Sequence, residues 1–209
     1  MIPVKILAVR YLANASPGLA QRLGAPKGCP SLGLITTDCD DATYIALDAA
    51  TKAADVQVAY GRSFYGGASN ASTPNAGEVL GILAGATPGA VKSGMEAAIS
   101  ALQRIGFEEA KGVPYLAHTV ASVGSFLAKE AGVNVGSALA YLIAPPLESM
   151  YALDAALKAA DVTLCKLYKP PSETNFGGGL LSGTQSACTA ACEAFANAVK
   201  EVAEWTIIQ

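Results

Sequence analysis

The chain has 209 residues, of which 52% are hydrophobic and only 15% charged, with a net charge of −3 and a pI of about 5.2. No Lys/Arg run or basic patch is present, which argues against a nucleic-acid partner. Mean hydropathy is +0.36, yet no apolar run approaches the roughly 18 residues a membrane helix needs; the excess is largely alanine, which points to surface hidden in an assembly or to a generous core.

Read from the start, MIPVKILAV carries one lysine and turns polar at Arg10, so Pro3–Leu12 reads as a strand rather than a secretory leader. Ser16-Pro17 sets the cap and first position of a short helix to Leu23, closed by Gly24. Ser31–Thr36 is a buried strand, and the polar turn Thr37–Asp41 starts a helix to about Ala54. A strand over Val56–Arg62 precedes an irregular stretch, Ser63–Glu78, rich in Gly, Ser, Asn and Pro. Val79–Ala84 is a strand, and Thr87-Pro88 opens a helix to about Ile105.

The same order then recurs. Strand Val113–Val120, helix Ser122–Glu130 ended by Gly132, strand Ser137–Ala144, helix Leu147–Ala160 and strand Val162–Tyr168 follow in turn. A second irregular loop, Lys169–Gly179, precedes a short strand Leu180–Ser182 and a final helix Gln185–Trp205.

That recurrence has a sharp marker. Asp48–Val56 reads DAATKAADV and Asp154–Val162 reads DAALKAADV, identical at eight of nine positions, Thr51 against Leu157 being the exception. Self-similarity at half the chain length implies two alike domains, 1–106 and 107–209. Each half reads β-α-β-α-β-β-α, an α+β layer fold with a mixed or antiparallel sheet and helices on one face.

Chemistry is sparse. The five cysteines, Cys29, Cys39, Cys165, Cys188 and Cys192, have no regular spacing and read as reduced thiols; Cys188 and Cys192, four apart on a helix face, read as core packing rather than metal ligands. His118 is the single histidine and has no partner constellation, so it reads as a strand residue in the core or lining a pore. No Ser-His-Asp, Cys-His or HExxH pattern appears, and the chain reads as non-enzymatic. The triple glycine Gly177–Gly179 lacks a phosphate-loop context. Asp38, Asp40 and Asp41 open one long helix, with Glu148 read as standing at the matching point of the other; the helix dipole alone favours acids there.

Several stretches are long, ordered and specific: SLGLITTDCDDATYIALDAATKAADV, VAYGRSFYGGA, NAGEVLGILAG, AYLIAPPLESMYALDAALKAADV and PPSETNFGGGLLSGTQSAC. Together they resemble bacterial microcompartment shell proteins of the tandem-domain, trimeric kind associated with ethanolamine utilisation. The resemblance spans nearly the whole chain and implies two circularly permuted shell domains of ferredoxin-like type. It further implies a homotrimer forming a pseudohexameric tile, which meets other shell proteins around ethanolamine-degrading enzymes inside the cytoplasm. No cofactor is required; ethanolamine is the implied ligand and cobalamin a possible passenger.

The resemblance also assigns residues. Lys52 and Lys158 fall at the tile edge, where the plainer reading is a lysine lying over alanines. The two irregular loops become the gate of a central pore, with Phe64, Tyr65, Gly66 and Gly67 in one and Ser172, Glu173, Asn175 and Phe176 in the other. Both are glycine-rich, and their plainer reading is two mobile surface loops. An ethanolamine site is implied at Asp40, Asp41, Glu148 and Thr174, with Phe107 offering an aromatic face to the ammonium. The alternative class is a trimeric small-molecule sensor built from ferredoxin-like modules.

Overall fold

Alternation along four short strands builds the first sheet. In SLGLITT, Ser31, Gly33 and Ile35 point to one face and Leu32 and Leu34 to the other. The computed structural model describes residues 1–64, 78–170 and 175–205, and the chain forms two units. One holds residues 3–105 together with 124–127; the other holds 1–2, 106–123 and 128–209.

In the first unit, β1 (Ile6–Leu12), β2 (Ser31–Thr37), β3 (Gln57–Ser63) and β4 (Val79–Gly85) lie in the order β1-β2-β4-β3. All pairs are antiparallel. The long helices α2 (Asp40–Ala53) and α3 (Pro88–Leu102) cover one face. Leu47 of α2 lies over Gly81, and Val91 and Met95 of α3 lie over Gly33. The Thr87 side chain accepts the Ala90 N–H and Pro88 follows it, so this helix starts as its sequence predicts. The short helix α1 (Pro17–Arg22) takes the opposite face, where Ala15 and Ala20 pack with Leu32, Ile82 and Ala84. Helices on one face therefore describes only the long pair.

The second unit repeats the order with one addition. Its sheet runs β5-β6-β7-β9-β8, from β5 (Glu108–Ala110), β6 (Val113–Val120), β7 (Ala138–Ala144), β8 (Val162–Tyr168) and β9 (Gly177–Gly183). Helices α5 (Pro146–Ala159) and α6 (Gln185–Glu204) close its core around Leu142, Leu153, Leu181 and Phe195. Cys188 and Cys192 sit in that core, as their helical spacing implies. Helix α4 (Ser125–Ala131) is the counterpart of α1, and only its last residues belong to this unit. Strand β3 breaks register between Val58 and Tyr60, and β8 breaks it at the matching place, between Leu164 and Lys166. The duplication thus extends to its irregularities.

Two elements differ from expectation. Strand β5 is three residues of EEA, too short and too charged to show a strand period. Strand β9 starts at Gly177 rather than Leu180, so the triple glycine is ladder, not loop. Its reason is steric: at Gly178 φ is +154°, and an added Cβ would come within 1.9 Å of the Leu142 carbonyl oxygen.

One carboxylate organises the first unit. Asp48 is fully buried and accepts the N–H of Gly124 at 2.7 Å and of Leu127 at 2.9 Å. Lys52 lies 3.5 Å away and balances its charge. One turn on, the Thr51 hydroxyl accepts the Ser125 N–H at 3.2 Å, and Phe126 packs on Tyr44 with ring centroids 5.9 Å apart. A Cβ at Gly124 would lie 2.2 Å from the Thr51 hydroxyl, so glycine permits the approach. Removing the carboxylate strands two buried donors beside a cation. Asp48→Ala is therefore expected to cost about 3 kcal/mol in urea unfolding, and Thr51→Val, which touches a more exposed bond, about 1 kcal/mol or less. A loss below 1 kcal/mol for Asp48→Ala would contradict this role.

Candidate functional site

The residues with the most perturbed acid chemistry gather where β2 gives way to α2. Thr37 closes the turn: its hydroxyl bonds the Thr43 hydroxyl at 2.7 Å and accepts the Cys39 N–H at 3.1 Å. Thr43 in turn donates to the Cys39 carbonyl. The turn so fixed presents Asp38, Asp40 and Asp41 in succession. Asp38 accepts the Lys5 N–H at 2.8 Å, and Asp40 accepts the Asp41 N–H at 2.9 Å.

Glu78 completes the group from across the sheet. The β2–β4 register pairs Thr37 with Val79, and the Glu78 N–H donates to the Thr37 carbonyl at 2.8 Å. The Glu78 carbonyl accepts the Phe64 N–H at 2.9 Å, closing the base of the segment between them. Tyr44 donates to Ser63 at 3.0 Å on the same side. Sequence reading missed Glu78 and Ser63, which only the strand register brings to the turn, and Tyr44, which lies one turn along α2.

Like charges at close quarters disfavour ionisation, and burial adds to that. Asp40 and Asp41 are buried. Burial pushes the Asp40 carboxyl above its usual range, against the pull of hydrogen bonds from the Asp41 backbone and Ser63. Glu78 is pushed up to about 7, by burial first and then by Asp40 and Asp38. The Cys39 thiol is held well above its ordinary value by burial and by Asp41, so it is not a nucleophile at neutral pH. This corner would welcome a small cation, although among the described residues no group of three or more His, Cys, Asp or Glu is arranged to hold a metal ion.

The remaining sequence-assigned residues lie elsewhere. Glu148 is half-buried in the first turn of α5, in the second unit. By the spacing of the repeat it matches Ala42, while Pro146 and Leu147 stand where Asp40 and Asp41 stand; the acid corner is not duplicated. Phe107 belongs to the second unit too, where its ring meets that of Phe176 at 5.8 Å. Phe64 is exposed, and Asn175 is exposed with φ +65°. Tyr65, Gly66, Gly67, Ser172, Glu173 and Thr174 lie outside the described residues. Lys52 pairs with buried Asp48, whereas Lys158 lies 2.6 Å from an exposed Asp154.

A pH signature follows. The folded value of Glu78 lies above its ordinary 4.5, so its contribution to stability is present below that value and is lost as pH rises through about 7. The midpoint of thermal unfolding should fall between about pH 5 and about pH 8, and Glu78→Gln should flatten that slope. An unchanged slope in the variant would contradict the assignment.

The model of the BMC domain matches residues 31–115 and 143–209, one match in each half. The chain is 56% identical to "Bacterial microcompartment shell protein EutL" of Clostridium perfringens, over 97% of this chain and 95% of that one. It is 46% identical to the protein of the same name from Escherichia coli K12, over 97% and 94%. Among solved structures, the ethanolamine utilization protein EutL from Leptotrichia buccalis superposes with a TM-score of 0.96 at 55% identity, covering 100% of this chain and 98% of that one. Two matched domains and near-complete coverage leave one conclusion: the chain belongs to the bacterial microcompartment shell protein family, in its tandem-domain EutL branch.

Proposed function

We propose that this shell protein forms flat trimeric tiles in the wall of an ethanolamine-utilisation microcompartment and passes small molecules through the tile. The observation that carries the reading is the near-complete match to EutL proteins from three organisms, joined to a chain built as two like units. Three copies supply six such units, which suits a closed ring with head-to-tail contacts. A tile that hides its perimeter in neighbours also suits a chain with 15% charged residues. Negative-stain microscopy at rising protein concentration is expected to give flat sheets; discrete particles at every concentration would favour the trimeric sensor instead.

The ligand reading is ethanolamine, an ammonium with a hydroxyl. Asp40, buried beside Glu78, and the neighbouring buried Asp41 offer carboxylates to the ammonium, and Ser63 offers a hydroxyl. Glu148, Thr174 and Phe107 remain proposed contacts through the family resemblance. The two irregular loops Ser63–Glu78 and Lys169–Gly179, with Phe64–Gly67 in one and Ser172, Glu173, Asn175 and Phe176 in the other, are proposed as the gate, because they occupy equivalent places in the two halves. Ligand binding could bias a gate only through unequal affinity for its states. Calorimetric titration with ethanolamine should give a binding heat that Asp41→Asn and Glu148→Ala each weaken by about tenfold or more. Absence of heat, or binding unchanged in both variants, would sink the site.

A further inference from the structure

The nine-residue repeat is used once inside the chain and presented once on its surface. In the first unit the α2 face bearing Asp48 and Thr51 receives residues 124–127. In the second unit the matching residues are Asp154 and Leu157, and Asp154 is 64% exposed. We infer that this second face receives residues Ser16–Leu19 of a second copy of the chain.

The counterpart of residues 124–127 is found by alignment of the short helices. Gly24 and Gly132 end α1 and α4 with φ +80° and +67°, and Gly28 and Gly136 follow with φ +86° and +91°. Ala20 and Ala128 are both buried. The Ala25 N–H donates to the Ala20 carbonyl as the Val133 N–H does to Ala128. This fixed spacing matches Gly124, Ser125, Phe126 and Leu127 with Ser16, Pro17, Gly18 and Leu19.

The side chains that differ between the two faces differ in compensating pairs. Thr51 accepts the N–H of Ser125; at Leu157 no acceptor is present, and the facing residue, Pro17, has no N–H to satisfy. Phe126 packs over Gly61, where an added Cβ would lie 3.5 Å from its ring. On the second face Gly61 is replaced by Leu167, 39% exposed, and Phe126 by Gly18, so the bulk moves from one partner to the other. Leu127 is 1% exposed but its counterpart Leu19 is 47% exposed, an apolar side chain only half covered within its own copy. Asp154 is then placed to accept the Leu19 and Ser16 N–H groups as Asp48 accepts those of Leu127 and Gly124. Ser16 brings a Cβ that Gly124 lacks; Thr51 carries two γ substituents where Leu157 carries one, which frees the crowded position.

This deepens the tile reading and rests on it, since three such head-to-tail contacts are what the proposed ring of three requires. The test is an exchange of bulk on the full chain, read by light scattering after size exclusion. Among the described residues nothing lies within 4 Å of a Cβ at Gly18, so Gly18→Phe should leave the fold and its circular dichroism intact while converting trimer to monomer. Gly18→Phe combined with Leu167→Gly recreates the Phe126–Gly61 pairing and should restore the trimer. Asp154→Ala should raise the dissociation constant about tenfold or more. A trimeric wild type with a Gly18→Phe variant equally trimeric, or a double variant that does not recover, would overturn the docking alone. A monomeric wild type would overturn the tile reading along with it.

Discussion

The buried Asp48 carboxylate is the constraint on which the first unit depends. It cannot sit at zero exposure without strong donors, and α2 offers none beyond Lys52, one turn along. The donors come instead from residues 124–127, which leave their own half of the sequence to complete the first unit. Much else in that unit accommodates this exchange. Gly124 permits the approach, Thr51 takes the next N–H, and Gly61 leaves room for Phe126. Across the nine-residue repeat the two halves differ only at Thr51 against Leu157, the position that meets Ser125 in the first unit.

Against this background the acid corner is a departure from symmetry. Thr37 and Thr43 hold the turn, and burial, followed by the charges of Asp40 and Asp38, pushes Glu78 up to about 7. The second unit has Pro146 and Leu147 in place of Asp40 and Asp41, so it has no copy of that corner. Shared strands, shared bulges and a shared helix motif build both units. The unshared residues ahead of α2 and α5 carry whatever chemistry distinguishes them.

The strands and helices were legible because their periods are local. SLGLITT and ALAYLIA announce buried strands, and Thr87-Pro88 announces a helix that begins where expected. Three things were not legible, each for a physical reason. Strand β5 is too short to have a period. Gly177–Gly179 looks like loop by composition and is strand because β7 and β8 backbones approach it closely. Glu78 joins the acids only through the β2–β4 register, a long-range fact with no local trace. Most instructive are Asp48 and Asp154, nearly identical in sequence context and opposite in burial; their difference is set by residues 124–127, more than seventy positions from Asp48. The acids of the candidate site were found in part, with Glu148 matched one residue away from its true counterpart.

The central claim is that one face is filled within the chain and its twin is filled by a neighbour. Electron cryomicroscopy of the purified protein at side-chain resolution tests it directly. The account predicts a three-copy ring in which each Asp154 carboxylate lies within hydrogen-bonding distance, about 3 Å, of the Leu19 amide of the adjacent copy, with Leu167 over Gly18. A ring in which Asp154 faces solvent and Leu19 meets some other surface would contradict it.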